Sequence, residues 1–337
     1  MKLRWKWLLW VVIALGALVL LCVGRHYRAK AVVENYREKL RAQGGKMTVA
    51  ELIPEMPADE LNAGPDLLSA AARLYSMPSN YPPLMKGIAP GHALVGWAEE
   101  TSPTRDSANI WPDFAQTMHE RSEGLADIRA ALKRPSLSFR VNYTQGYSVP
   151  IPHLPNLKKA VSWLSMETVL DLHENQPDKA WDNLCACARV VQLYKGEPLE
   201  ISQLVRAAMS QIAISTSWEA LQYPDWSEAQ LAALQQIWGS FDLMDGLDSS
   251  MAMERAFNPD IFASCRNSFE ETSSINSFST PTNSGSTTIS DLGEALANPR
   301  ESLRSFMDRY PRYWAWKWWW SYEEELSMLQ SSEAGLD

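Results

Sequence analysis

Seventeen consecutive residues, Trp7–Val23, carry no charge, with Lys2, Arg4 and Lys6 before them and Arg25, Arg28 and Lys30 after. At about 1.5 Å per residue a helix of that length spans about 26 Å, close to the hydrocarbon thickness of a bilayer. A removed signal peptide would need small residues at its cleavage site, whereas this run ends Leu20-Leu21-Cys22-Val23-Gly24. Leu21 before Cys22 also makes a poor lipid-attachment site. The expectation is an uncleaved anchor in contact with membrane lipid. No helix breaker follows until Gly44-Gly45, so the same helix is expected to run on as a stalk, with Val33, Tyr36 and Leu40 on one stripe.

The flanking charges pull two ways. Three basic residues precede the run and seven follow by position 46, which on a literal positive-inside count keeps the body in the cytoplasm. Short anchors behind a basic leader nevertheless often carry their C-terminal body across the membrane. The reading leans to a single-pass protein of a bacterial inner membrane with an extracytoplasmic body, the side being open.

Seven segments are marked by the punctuation: a basic leader (1–6), the transmembrane helix (7–23), a helical stalk (24–43), an irregular helical part (44–151), a central helical bundle (152–271), a Ser/Thr-rich mobile loop (272–290) and a Trp-rich helical end (291–337). The loop is expected because Thr272–Ser290 holds no charge and little that could be buried to offset ordering. The fold class expected is all-α. Thr48–Glu51 has the form of a capping box before a short helix ended by Pro54, and Pro65 opens another through Leu74. Around Ala93–Glu99 one helical turn is expected. Pro112 starts a longer helix with Phe114, Met118, Leu125, Ile128 and Leu132 inward. Only Ser136–Ile151 alternates, as a hairpin or extended chain.

The centre is the clearest part. Pro155–Glu174 and Pro177–Tyr194 read as two helices joined by Asn175-Gln176, an αα-hairpin. Ala180, Leu184, Cys187, Val191 and Tyr194 recur at steps of four and three, which makes one buried seam. A helix near Pro198 is expected to turn Ile201, Leu204, Ala208, Ile212 and Ser215 to one side. Ser227 and Gln230 cap the next, and Leu243–Phe269 is helical with a bend at Pro259. Repeat-like packing is expected, but no period near 34 residues recurs and the glycine and tyrosine of a tetratricopeptide unit are missing.

Net charge −9 argues against nucleic acid, because a phosphate-binding surface needs clustered Lys and Arg. No metal-ligand spacing, phosphate loop, nucleophile elbow or dinucleotide fingerprint is present; Gly44-Gly45-Lys46-Met47-Thr48 only superficially resembles a phosphate loop. Cofactor and metal are therefore expected to be none. His119-Glu120 and His173-Glu174 are adjacent pairs on helices and diverge. Cys185 and Cys187 point to different faces and are expected to be thiols. Asp242, Asp245 and Asp248 lack the alternate spacing of a calcium loop and suit a helix N-terminus. Arg206, Glu254 and Arg255 lie in otherwise apolar helices, as structural ion pairs or as a polar pocket.

One cluster needs its own explanation. Between Tyr310 and Tyr322 lie Trp314, Trp316, Trp318, Trp319 and Trp320, too many rings for one buried stripe. Either some spill over from a core helix, or the segment rests at the head-group level as interfacial tryptophans do, with Arg312 and Lys317 facing lipid phosphates.

The stretches Leu40–Gly44 through Glu60–Pro65, Pro152–Lys158, Glu197–Arg206 and Ala252–Ala256 resemble a group of membrane-anchored helical proteins, themselves uncharacterised, from planctomycete and verrucomicrobial bacteria. The resemblance covers nearly the whole chain. It implies a single N-terminal span and an all-α body and brings no catalytic residues. The expected function is a non-enzymatic interaction or scaffold module at the membrane, receiving a protein or peptide. The alternative is a membrane-bound hydrolase or lipid-binding protein with a polar site between the central helices.

Overall fold

The computed structural model describes residues 2–75, 81–82, 84, 86–89, 92–100, 109–269, 272 and 311–334. The fold is all-α, and the described chain divides into two compact units. One joins residues 1–52 to 252–337; the other is residues 53–251. The expected boundary near 151 falls inside the second unit, because helices on either side of it pack together there.

In the first unit, α1 (Lys2–Ala42) is one unbroken helix, anchor-length run and stalk together. It is long and apolar enough to cross a membrane, and none of its most apolar stretch is buried. The Gly44-Gly45 pair is its stop: Gly44 has φ +89°, its N–H donates to the Arg41 carbonyl at 2.9 Å, and Gly45 N–H donates to the Leu40 carbonyl at 2.9 Å. That is a Schellman end, in which a left-handed glycine lets the last carbonyls be satisfied. Glu51 accepts from the Met47 and Thr48 amides at 3.1 and 3.0 Å and so starts α2 (Val49–Leu52) as expected. Val33, Leu40 and Met47 form a small core with Leu329 of the C-terminal helix.

The second unit is built on the expected hairpin, α6 (His153–His173) and α7 (Pro177–Leu193). Its whole predicted seam, Ala180 through Tyr194, is buried. Asn175 takes the left-handed conformation (φ 59°) at the end of α6, and the Gln176 amide reaches back to the Asp171 carbonyl at 2.7 Å. The turn is thus a second Schellman end, with asparagine in the glycine position. Helices α3 (Gly64–Ala72), α5 (Ser122–Ala131) and α8 (Glu200–Ala220) pack on α6, and α9 (Glu228–Gly239) packs on α7. Ser227 and Gln230 form the capping box of α9. Helix α10 (Leu247–Asn267) carries Pro259 inside it.

Four expectations are corrected. The helix after Pro112 is two, α4 (Trp111–His119) and α5, broken at Glu120-Arg121, although all five inward residues are buried. Among the described residues the strands are β1 (Lys86–Ala89) and β2 (His92–Leu94), an antiparallel pair outside the alternating segment, while 136–151 takes the extended-chain form of the two expected, with a 3-10 turn at Tyr143–Ser148. Helix α3 ends at Ala72. Most consequentially, α8 does not bury that stripe as a core face: Ile201 and Leu204 are exposed, Ala208, Ile212 and Ser215 are half-buried, and the inward face is largely polar. The loop expected over 272–290, save Thr272, and the helix expected from Asp291 to Tyr310 lie outside the described residues.

Buried Asn62 stitches the start of α3 to the extended chain at Ser138. Its amide donates to the Ser138 carbonyl at 3.1 Å, and its side-chain oxygen accepts from the Ser138 and Gly64 amides at 2.9 and 3.0 Å. Asn62→Ala strands those three backbone groups, so it is expected to lower the unfolding free energy by about 2–4 kcal/mol. Urea unfolding of the full chain in detergent checks this, and a loss below about 1 kcal/mol contradicts it.

Candidate functional site

The tryptophan-rich segment belongs to the first unit and opens the C-terminal helix there. Residues 311–315 are helical, Trp316–Trp320 form a π turn, and α11 (Ser321–Ala334) continues. A π turn bonds five residues back rather than four, so it rotates everything after it relative to the turns before it. Its consequence is the spread of the rings. Trp316 turns in, its ring near Phe262 and Tyr313 and its Nε1 donating to Glu324 at 2.6 Å. Trp314, Trp318, Trp319 and Trp320 remain exposed, at 37–47%. A regular helix would set Trp314, Trp318 and Tyr322 on one stripe, and the π turn shifts that alignment.

These rings meet α1 at a defined place, just past the uncharged run. Arg25 stands 5.6 Å over the Trp319 ring and pairs with Glu323 at 2.6 Å; the His26 ring lies 4.7 Å from that of Trp318 and 5.0 Å from that of Tyr322. Burial lowers the His26 pKa, and a hydrogen bond to the Trp318 backbone opposes the shift. Lys317 stands 5.2 Å over Trp314, and Arg312 is exposed.

Glu325, fully buried, fixes this arrangement. It accepts from both Arg37 of α1 and Arg266 of α10, and Arg266 also lies 3.7 Å over the Tyr322 ring. Removing one partner of a buried charge set leaves the others uncompensated. Glu325→Ala is therefore expected to cost about 3–5 kcal/mol and to free the C-terminal helix from α1. Limited proteolysis should then cut between residues 311 and 334, where the parent chain resists; equal resistance contradicts it.

The polar residues singled out in the central helices fall in both units. Arg206 lies in the second unit; Glu254 and Arg255 lie in the first. Arg206 is 1% exposed and its donors serve backbone: Nε to the Val191 carbonyl at 3.1 Å, Nη1 to that of Asp245 at 2.6 Å and Nη2 to that of Asp242 at 2.8 Å. It is a clamp on the loop between α9 and α10. The Asp242 and Asp245 carbonyls hold this clamp, the Asp245 carboxylate pairs with Lys195 at 2.7 Å, and Asp248 lies in the first turn of α10. Gly246 completes the loop at φ +100°, where a Cβ would lie 2.3 Å from the Lys195 carbonyl oxygen. Glu254 is half-buried, and buried Arg255 reaches the Lys46 carbonyl at 3.5 Å.

Two buried polar clusters of the second unit escaped the sequence reading. In one, the Tyr143 hydroxyl donates to Glu197 at 2.7 Å beside a cavity of about 130 Å³ that Met56, Phe139 and Val141 also line. Near it, His153 stacks on Phe139 and bonds the Tyr194 hydroxyl at 2.9 Å. In the other, Arg129 donates to Glu167 and to Asn183, and Asn183 donates to Asp171 at 2.8 Å. Glu167 and Asp171, four apart on α6, were the only available signal. His173 is exposed but stacks on Trp111 with centroids 3.5 Å apart and meets the Trp97 carbonyl at 2.9 Å; His119 bonds the Ala115 carbonyl of its own helix. Cys187 and Cys265 are buried and Cys185 is half-buried. Among the described residues no group of His, Cys, Asp and Glu is arranged to hold a metal ion.

No family model, no curated protein and no solved structure matches the chain.

Burial pushes the Glu197 carboxyl up to about 7, opposed by the Tyr143 hydrogen bond; it pushes Asp171 up to about 7 with the Glu167 charge adding; it pushes His153 down to about 4. Acids raised on folding add stability that is complete below their unfolded pKa and lost as pH rises through the folded one. A depressed histidine acts oppositely, losing stability as pH falls from about 6.5 toward 4. Above about pH 6.5 the acids act alone, so stability should fall by about 1 kcal/mol between about pH 6.5 and 7.5. Glu197→Gln should remove roughly half of that fall. Urea unfolding across the interval tests the sign; a rise contradicts it.

Proposed function

We propose that this chain is a membrane-anchored, non-enzymatic interaction or scaffold module, held by Trp7–Val23 and seated on the bilayer surface by an aromatic collar. One observation carries the seating. Trp319 packs on Arg25 and Trp318 on His26, the second and third residues after the uncharged run, and Trp314 and Trp320 stand exposed on the same short segment. Two or three residues of helix are about 3–5 Å of rise, so whatever depth the end of the apolar run occupies, the rings sit at nearly the same level. Tryptophan favours that level because its ring is apolar and its N–H wants a polar partner. Arg312 and Lys317 supply the positive charge that lipid phosphates attract.

The use made of the body's polar groups supports a non-enzymatic role. Arg206 is spent on three carbonyls, Glu197 on Tyr143, and Glu167 and Asp171 on Arg129 and Asn183. A substrate would have to displace bonds that hold helices together. An extracytoplasmic body and kinship with the planctomycete and verrucomicrobial proteins belong to the same reading. So does a protein or peptide partner.

The test uses the full chain reconstituted in phosphatidylcholine vesicles brominated near the head groups. It should resist carbonate extraction, and Phe at 314, 318, 319 and 320 should remove a measurable share of the quenchable tryptophan fluorescence. An unchanged quenchable share overturns the collar; release into the aqueous fraction overturns the anchoring.

A further inference from the structure

Helix α8 is inverted for a helix of a water-exposed body. Its buried face carries Gln203, Arg206, Ser210, Thr216 and Glu219 around Met209 and Ala213, while the face turned outward between Ile201 and Gln222 carries no charged residue. The outward residues follow a strict order. Leu204, Gln211 and Trp218 are seven apart, and Ala207, Ile214 and Leu221 follow each by three; all six are exposed, Leu204 at 59% and Trp218 at 63%. This is the a/d pattern of a two-stranded coiled coil over nearly three heptads, a period that a helix uses to wind on another helix.

We infer that this seam joins two copies of the chain through α8. Three observations favour a copy of the same helix over another occupant. First, the face has no charge, so meeting itself brings no like-charge penalty, whereas a helix that lies on lipid sets Lys and Arg along its apolar edge. Second, its single strongly polar seam residue, Gln211, carries both a donor and an acceptor and so complements its own copy. It now donates only to Ser215 on the same exposed face, at 3.2 Å. One polar residue at a central a position is also the device by which such pairs fix register. Third, the size is right: Leu204, Ile214, Trp218 and Leu221 with Ile201 leave on the order of 500 Å² in water, hence about 1,000 Å² across two copies, where specific interfaces begin. The inference is independent of whether α1 lies in a membrane.

The full chain in detergent, sized by light scattering at micromolar concentration, should be a dimer. Leu204→Glu with Trp218→Glu should make it a monomer with unchanged circular dichroism, since both positions lie in solvent. A dimer that survives the two charges places the contact elsewhere, the anchor included, and overturns the inference, as does a parent chain that is monomeric throughout. Because the charged variant could misfold, a second measurement stands apart from it. Gln211→Cys should give a covalent dimer with a short bis-maleimide at least tenfold faster than Lys179→Cys, an exposed position on α7; equal rates overturn the inference.

Discussion

The arrangement of the first unit depends on one buried carboxylate. Glu325 has no exposure, and its charge is tolerable only because Arg37 and Arg266 meet it from two different helices. A set of this kind adds little net stability, since desolvating three charges offsets most of their attraction. Its contribution is position. A greasy patch such as Val33, Leu40 and Leu329 would let α11 slide by a turn along α1 at small cost, whereas two guanidinium groups around one carboxyl accept one register. That register sets the rings of Trp318 and Trp319 against His26 and Arg25.

Much of the second unit was legible because its signals are local. The turn between α6 and α7 needs a left-handed residue and has Asn175; the seam from Ala180 to Tyr194 repeats at helical spacing; Ser227 with Gln230 announces α9. The illegible features were set by partners far away in sequence. The break between α4 and α5 leaves every inward residue in phase, so periodicity alone could not reveal it. The role of Arg206 was hidden for a related reason. A charged residue in an apolar helix says that something must satisfy it, and here the satisfying groups are backbone carbonyls of a loop some forty residues on, which no side-chain pattern announces. The Tyr143–Glu197 and Asn183–Asp171 bonds were invisible on the same ground.

Helix α8 shows what periodicity leaves open. Period 3.6 finds the apolar stripe of a helix but not the side on which the stripe lies, and the usual assumption that it faces the core is an argument about water, not about sequence. Arg206 was the contrary signal. A guanidinium that must reach three carbonyls fixes the rotation of its helix, and with Arg206 inward, Leu204 and Trp218 cannot also be inward. One well-satisfied polar residue therefore decided the orientation of twenty-one residues.

The two apolar surfaces of the described chain differ in their margins, and the margins separate their media. Around the tryptophans stand Arg25, Arg312 and Lys317, and the rings carry N–H groups that need polar partners at one edge and apolar ones at the other. Cations beside amphipathic rings suit the boundary between water and acyl chains, where both needs are met within one side chain's length. Along the outward face of α8 there are no cations, the side chains are mainly aliphatic, and the spacing is about 3.5 residues rather than spread over a broad arc. Lipid has no use for a narrow seam, because acyl chains cover any apolar arc equally well; only another helix reads a strip of two residues per heptad. Charge at the edge and width of the strip thus assign the first surface to a bilayer and the second to a protein, from chemistry that each surface carries by itself.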